Sequence, residues 1–376
     1  MEEVTLKTSS TGNKILIYFP LELRTILSYT KGELIRILLK KNDNYSCLIT
    51  KFNHTITIKK AIINELKLRE EDKIILKTEK FCQIQKPDSP IYENKIDLLF
   101  FLPEITKKGS EIYSEEVIIK GESFVRAVSI HSRGSSNQIL LKRFIEPNLF
   151  GKLLGQIQAE GTKTNYNVVE FCNKNLFELR DFISFLSNLG IHKEKLSVKL
   201  DYNICFKDRL PEIINEFKSF LDLEVNYLCS SDRKAKGYGF KVIVRNTLLS
   251  EIILNSLKIM KKYLEDTKWD NNLILFSEGY LSKVLCGDGS FELTSKKRKK
   301  IQSRLTIADG NLNHLEHYKI ILETFGFHPY IYSKFQFIRT LCNLEQAKKL
   351  LKISAFDNNP NQKKIYSFIK NNTTSS

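Results

Sequence analysis

The chain has 376 residues, 42% of them hydrophobic and 27% charged, enough apolar material for more than one folding unit and too much for wholesale disorder. Lys and Arg number 59 against 43 Asp and Glu, a formal charge of +16, so the favoured partner is a polyanion, nucleic acid first, because each basic side chain near a phosphate releases condensed counterions. No apolar run reaches the ~18 residues of a membrane span. No basic amphipathic helix has a clean apolar face, and Met1-Glu2-Glu3-Val4 lacks the regions of a secretion signal. These features set membrane and secreted classes aside and predict an intracellular protein, in the cytoplasm or nucleoid of a prokaryote. The cysteines (Cys47, Cys82, Cys172, Cys205, Cys229, Cys286, Cys342) are scattered singly with no CxxC pair and read as reduced core residues.

The first predicted elements form a repeat. Tyr18 to Glu33 overlays Thr57 to Asp72 at an offset of 39. Each copy reads as strand, short helix, turn with an acidic residue (Glu33, Asp72) and strand (Leu34 to Leu39, Lys73 to Lys77). The unit resembles the swapped-hairpin fold of AbrB-like regulators and antitoxins, here with both copies in one chain over residues 1–80. Glu71 stands where that family places a turn glycine, and only the first copy keeps the proline, Pro20. Residues 81–147 alternate short apolar runs (Leu98 to Leu102, Val117 to Ile119, Phe124 to Ile130) with turn-prone stretches such as Ser132 to Asn137, the pattern of a β-rich connector.

A second repeat dominates the remainder. Asn175 to Ile191 aligns with Asn311 to Phe327 at an offset of 136, each with apolar positions at helical spacing and each closing on a glycine, Gly190 or Gly326, suited to a left-handed turn. Ahead of each copy lies an apolar segment ending in acid-Gly: Leu153-Leu154-Gly155-Gln156-Ile157-Gln158-Ala159-Glu160-Gly161 and Leu281-Ser282-Lys283-Val284-Leu285-Cys286-Gly287-Asp288-Gly289. Small residues before the acids, Ala159 and Gly287, allow two such helices to pack closely and bring both carboxylates to one joint, and the terminal glycines would let the chain turn into a strand. Paired carboxylates at helix C-termini repel each other and call for a divalent cation.

Both segments resemble the LAGLIDADG motif of homing endonucleases, and the resemblance covers about Asn148 to Phe356. It implies an α+β fold in which a pseudo-twofold pair of αββαββα halves carries a β-sheet saddle, with halves at residues 148–268 and 269–358; by composition residues 359–376 read as a polar tail, disordered from Asn371 to Ser376. It implies an Mg²⁺-dependent endodeoxyribonuclease, with Mn²⁺ as a possible substitute, acting as a monomer on both strands of a long asymmetric duplex. The metal set it implies is Glu160 and Asp288 with Ala159 and Gly287 beside them. Arg245 and Arg339 are the candidates for transition-state charge stabilisation, and Gln302 for ordering the attacking water. Lys283 departs from the family pattern, standing where a small residue is usual, and is expected to splay the helix pair locally.

The strands after each motif supply the expected DNA contacts. The second hairpin has a basic tip, Lys296-Lys297-Arg298-Lys299-Lys300, followed by Arg304. The first hairpin is eight residues shorter, since the acids lie 128 apart and the helices 136. Lys163 and the loop carrying Arg233, Lys234, Lys236 and Tyr238 are its candidates. His314 and His317 form an HxxH on a helix but lack the further ligands of a zinc site. Two other classes fit the same scaffold and charge: a non-catalytic DNA-binding regulator and an RNA-binding intron maturase. Alanine at either acid separates them from an endonuclease.

Overall fold

The computed structural model describes residues 3–11, 14–130, 136–163, 165–231, 237–266, 268–295, 301–357 and 359–373. The chain divides into two compact units, one of residues 1–86 with 102–140 and one of residues 87–101 with 141–376.

In the first unit, β1 (Glu3–Thr11), β2 (Lys14–Tyr18), α1 (Leu21–Leu27), β3 (Leu34–Lys41), β4 (Asn44–Lys51), β5 (Thr55–Thr57), α2 (Lys60–Leu66) and β6 (Lys73–Lys80) build a six-stranded sheet of order β4-β3-β6-β1-β2-β5. The duplication is visible in the backbone. Leu21 and Lys60 open the helices 39 residues apart, and Leu34 and Lys73 open the following strands at the same spacing. Both helices end on left-handed residues, Ser28 (φ 52°) and Lys67 (φ 49°). In the next turn Glu71 accepts the left-handed φ (61°) that Gly32 (φ 93°) takes in the first copy, a strained conformation for a side chain. The acids close the turns alike: Glu33 accepts from Thr30 N–H (3.1 Å) and Asp72 from Arg69 N–H (2.6 Å).

The segment expected as one connector is divided between the units. It contains β7 (Ile91–Tyr92), β8 (Lys95–Asp97), β9 (Glu111–Ile119), β10 (Glu122–Ile130), β11 (Ser136–Lys142) and β12 (Phe144–Ile145). The β9–β10 hairpin packs in the first unit, where Glu115, 3% exposed, takes Arg36 and Arg126 while Arg36 also holds Glu79 at 2.9 Å. β7, β8 and β12 belong to the second unit; there the buried carboxylate of Asp97 pairs with Arg143 at 2.9 Å. Buried acids need such partners, and these two choose different units.

The second unit continues with α3 (Pro147–Glu160), β13 (Val169–Asn173), α4 (Leu176–Asn188), β14 (Leu196–Asn203), α5 (Leu210–Leu221), β15 (Tyr227–Ser231), β16 (Tyr238–Val244) and α6 (Thr247–Asp266). After these come α7 (Asn271–Asp288), β17 (Gly289–Ser295), β18 (Ile301–Ala308), α8 (Leu312–Thr324), β19 (Tyr330–Tyr332), β20 (Phe337–Cys342), α9 (Leu344–Lys352) and α10 (Pro360–Thr373). Two four-stranded sheets result, β13-β16-β14-β15 and β17-β18-β20-β19. The repeated helices α4 and α8 share their ends: Asn175 and Asn311 cap the N-termini, and Gly190 (φ 91°) and Gly326 (φ 80°) take the left-handed turn beyond them. Residues 360–373 are not a loose polar tail but form α10 and bury Ile365 and Phe368; 374–376 lie outside the described residues. Those two apolar residues, three apart on one helical face, provide the anchor that the polar composition hides.

Candidate active site

Helices α3 and α7 run parallel and in backbone contact. Pro147 opens α3 at a position where its missing N–H costs nothing, and the Asp270 side chain caps α7 by accepting from Leu273 N–H (2.8 Å). Glycines set the approach. A Cβ added to Gly151 would lie 2.0 Å from the Phe276 carbonyl oxygen, and one added to Gly279 would lie 2.1 Å from that of Asn148. These contacts are reciprocal, since Asn148 and Gly151 stand 128 residues before Phe276 and Gly279, the spacing between the two acids. At the far end a Cβ on Gly287 would meet Ala159 Cβ at 2.6 Å and come within 3.6 Å of Glu160 Oε1. Small residues at both crossings thus bring the C-terminal acids of the two helices to one place.

The terminal glycines serve a different need from the one expected. Gly161 (φ −89°) and Gly289 (φ −90°) have ordinary backbone angles. A side chain is excluded by space instead: a Cβ at Gly161 would lie 2.7 Å from Ile157 Cα, and one at Gly289 would lie 2.5 Å from the Leu285 carbonyl oxygen.

The electrostatics of the joint are those of crowded carboxylates. Burial, then the charge of Glu160, push Asp288 up to about 7, with Asp309 adding to the rise and Lys163 opposing it. Glu160 keeps a solvent-facing side, yet burial raises its carboxyl too, again against Lys163. Lys163, singled out as a DNA contact, is therefore close enough to feel both acids. Asp309 is held at about 2: burial would raise it, but hydrogen bonds from His314, Asn311 N–H and Tyr318 outweigh that.

Lys283 does not splay the helices. Its Cβ sits 3.1 Å from where a Gly155 side chain would begin, and the buried chain reaches α4, where its Nζ meets Glu178 at 3.0 Å and Asp181 at 2.6 Å. Burial works against its charge, and the two carboxylates more than compensate, holding its pKa above the ordinary lysine value. Gln156 donates to the same Glu178 at 2.9 Å, while its own side-chain oxygen finds no partner, so an apparent departure in the motif is one member of a buried polar network.

The strands can be placed by their registers. Gly161 bridges Phe171, which pairs with Val242; Gly289 pairs with Ile307, which pairs with Ile338. Counting from these rows, Arg339 lies one residue from the row beside Asp288, opposite Thr306, whose hydroxyl accepts from Arg339 Nε at 3.0 Å. Its counterpart in the first half is Ile243, not Arg245, which falls opposite the place of Leu341. Arg245 is three residues from its row and stacks over Tyr227 at 5.5 Å, about 10 Å along the strand from the Glu160 end. Gln302 is five residues from Ile307, about 17 Å away, too far to order water at the acids. Arg304 pairs with Glu292 between them. A cation that the sequence reading missed is Lys241, one residue from the Phe171–Val242 row. It binds Glu170 at 3.5 Å and approaches Asp201 at 4.0 Å. The Cys172 thiol feels both Lys241 and Glu160, which puts that lysine at the Glu160 end.

Tyr238 begins β16 and packs on Phe206 at 5.4 Å. Arg233, Lys234, Lys236 and Lys296, Lys297, Arg298, Lys299 and Lys300 lie outside the described residues. The HxxH histidines take separate partners, His314 with Asp309 at 3.0 Å and His317 with Glu265 at 2.8 Å. Among the described residues no group of three or more His, Cys, Asp or Glu side chains is set to enclose a metal ion. What the joint offers is two carboxylates, Glu160 open to solvent and Asp288 partly buried, whose hard oxygens fit a cation shared with outside ligands such as water and phosphate.

No helix among the described residues is long and apolar enough to cross a membrane. No family model and no curated protein matches the chain. Solved structures with a partial likeness include a lysine-to-alanine mutant of I-SmaMI, 11% identical over 56% of this chain and 84% of that one with a TM-score of 0.30. Two others are the LAGLIDADG homing endonuclease I-LtrWI bound to target DNA (12% identical, 60% and 87% covered, TM-score 0.28) and I-GzeII in complex with a DNA target (12%, 59% and 87%, 0.26). Likeness at this level does not place the chain in a family.

Proposed function

We propose that the second unit is a pseudo-twofold pair of αββαββα halves acting as a site-specific endonuclease that hydrolyses both strands of a long duplex. The observation that carries this reading is the joint itself: two parallel helices in backbone contact, each ending in an acid, with both carboxyls pushed up by burial and Asp288 pushed further by its neighbour. Such a joint is unfavourable in isolation and becomes favourable when a divalent cation is shared between the acids.

When bound, Mg²⁺ would activate water and neutralise the charge on the scissile phosphate and leaving oxygen. The chain's own groups do the remainder. Glu160 and Asp288, with Ala159 and Gly287 beside them, hold that site. Arg339 and Lys241 stand one residue from the two acid-proximal rows and are the cations placed to meet charge developing on phosphate, and Lys163 offsets repulsion between the acids and incoming DNA. Arg245, Arg304, Gln302 and Tyr238, further along the strands, contact DNA away from the chemistry, as do the basic tips at 233–236 and 296–300. The first unit, AbrB-like in its repeat, contributes affinity or specificity and no catalytic group.

Incubation with a randomised duplex library at low salt, with Mg²⁺, with Mn²⁺ and with chelator, tests the reading. Expected are metal-dependent double-strand ends at a recurrent sequence, with binding that weakens steeply as salt rises. Intact duplex under all metal conditions would sink it.

A further inference from the structure

The second sheet carries aromatic rings that the proposed cleavage chemistry does not use. Tyr330 is 66% exposed, Tyr332 38% and Phe335 65%. The rings form a continuous ridge: Tyr330 to Tyr332 at 4.9 Å, Tyr332 to Phe337 at 4.8 Å and Phe337 to Phe335 at 6.1 Å between centroids. Cations flank it, with the Arg339 guanidinium 4.7 Å from the Phe337 ring and Lys334 Nζ 5.9 Å from that of Phe335. Tyr330 and Tyr332 pair with Arg339 and Phe337, so these four share the outward face, while Ile331 and Ile338 face the core. β19 is the edge strand of its sheet, which leaves the ridge open on one side.

The ridge is preformed. A single 3-10 turn, Ser333–Phe335, is followed by Gln336 in the left-handed region (φ 53°). The Gln336 carbonyl accepts from Asp309 N–H at 3.0 Å, and its side-chain amide donates to the Gly310 carbonyl at 3.3 Å. The fold does not require aromatic residues here. In the first half the registers put Ser197 where Tyr330 stands, Lys199 where Tyr332 stands and Lys241 where Phe337 stands, and the same kind of sheet forms with a polar face. Exposed rings kept in a rigid arrangement mark a contact surface.

We propose that Tyr330, Tyr332, Phe337 and Phe335, with Lys334 and Arg339 at their flanks, form a stacking platform for unpaired nucleobases of a single-stranded nucleic acid. A duplex presents only base edges in its grooves, whereas exposed aromatic side chains such as Tyr330 and Phe335 can stack on base faces, which an unpaired strand alone offers. Aromatic rings interleaved with cations supply stacking and phosphate neutralisation together, and the chain's charge of +16 suits a polyanion over an ordinary protein surface. The platform shares its face with Arg339, and Phe337 lies one residue from the acid-proximal row at Ile338, so a test without metal is needed to separate strand binding from cleavage.

The test uses the full chain in chelator, so that cleavage plays no part, with labelled oligothymidylate, oligouridylate and a mixed-sequence duplex read by fluorescence anisotropy. Tyr330→Ala and Phe335→Ala, both at exposed positions, should each weaken single-strand binding about fivefold or more while changing duplex binding less than about twofold, with an unaltered melting temperature. Phe335→Trp should give an indole signal quenched by the single strands and unaffected by duplex. Preference for oligothymidylate or oligouridylate identifies DNA or RNA as the source, and either supports the platform. Unchanged single-strand affinity in both alanine variants overturns it and leaves a protein partner as the explanation of the ridge. Equal loss on duplex also overturns it and assigns the rings to duplex contacts such as thymine methyl groups.

Discussion

The two proposed halves of the second unit are alike in helix ends and strand registers and differ in the side chains those strands carry. Reciprocal glycine contacts, Gly151 on Phe276 and Gly279 on Asn148, hold α3 and α7 together symmetrically, and both helices end in acid-Gly under the same steric constraint. Away from that axis the symmetry lapses. Gly155 faces Lys283, the outward face of the first sheet carries Lys199, Lys241, Glu170 and Asp201 in mutual ion pairs, and the matching face of the second carries aromatic rings. The first sheet is also extended by β15 beside β14, whereas the second is extended by β17 beside β18. The shared part is what positions two acids, and the divergent part is what would touch an asymmetric partner.

The largest effect is expected where the symmetry is strictest. Gly279→Val places atoms inside the backbone of α3 and should cost more than about 4 kcal/mol, seen in thermal or denaturant unfolding as collapse of the second unit; a variant as stable as the parent would show that the helices do not cross there. Next comes the point where the halves part. Lys283→Met strands Glu178 and Asp181 in a largely buried setting and should cost about 3 kcal/mol, and adding Glu178→Gln should recover part of that loss. Purely additive losses in this double-mutant cycle would deny the coupling.

A smaller effect distinguishes the acids. Asp288 titrates at about 7 in the fold against an ordinary 3.8, so the folded state binds its proton more tightly than the unfolded state. Its destabilising contribution is absent below the ordinary value, grows as pH rises through the interval and is complete above pH 7. Asp288→Asn should therefore raise the metal-free melting temperature by about 3 °C on the alkaline side and leave it unchanged in acid. A gain of the same size at both extremes would refute the electrostatic cause.

Much of this plan is legible in the residues, and the failures have physical causes. Both repeats, the acid-Gly pairs and the small residues Ala159 and Gly287 follow from spacing alone, because helix periodicity and glycine placement are local properties. Lys283 was misread because its partners, Glu178 and Asp181, reach it only once α4 is packed, more than a hundred residues away in sequence. Gln302 and Arg245 depended on strand register, which a shift of a few residues moves by about 10 Å. α10 hid because Ile365 and Phe368 alone anchor an otherwise polar segment. Lys241 carried no motif at all, and only its row beside the Glu160 end gives it a role.

In the proposed mechanism one joint, built from both halves, serves both strands. Single-turnover, strand-resolved cleavage of a selected duplex labelled at both ends, compared for the parent, Glu160→Gln and Asp288→Asn, tests it most directly. Either substitution should depress cleavage of both strands by orders of magnitude while DNA binding is kept or improved. Cleavage of both strands at the parental rate in either variant, or loss confined to one strand, would contradict it.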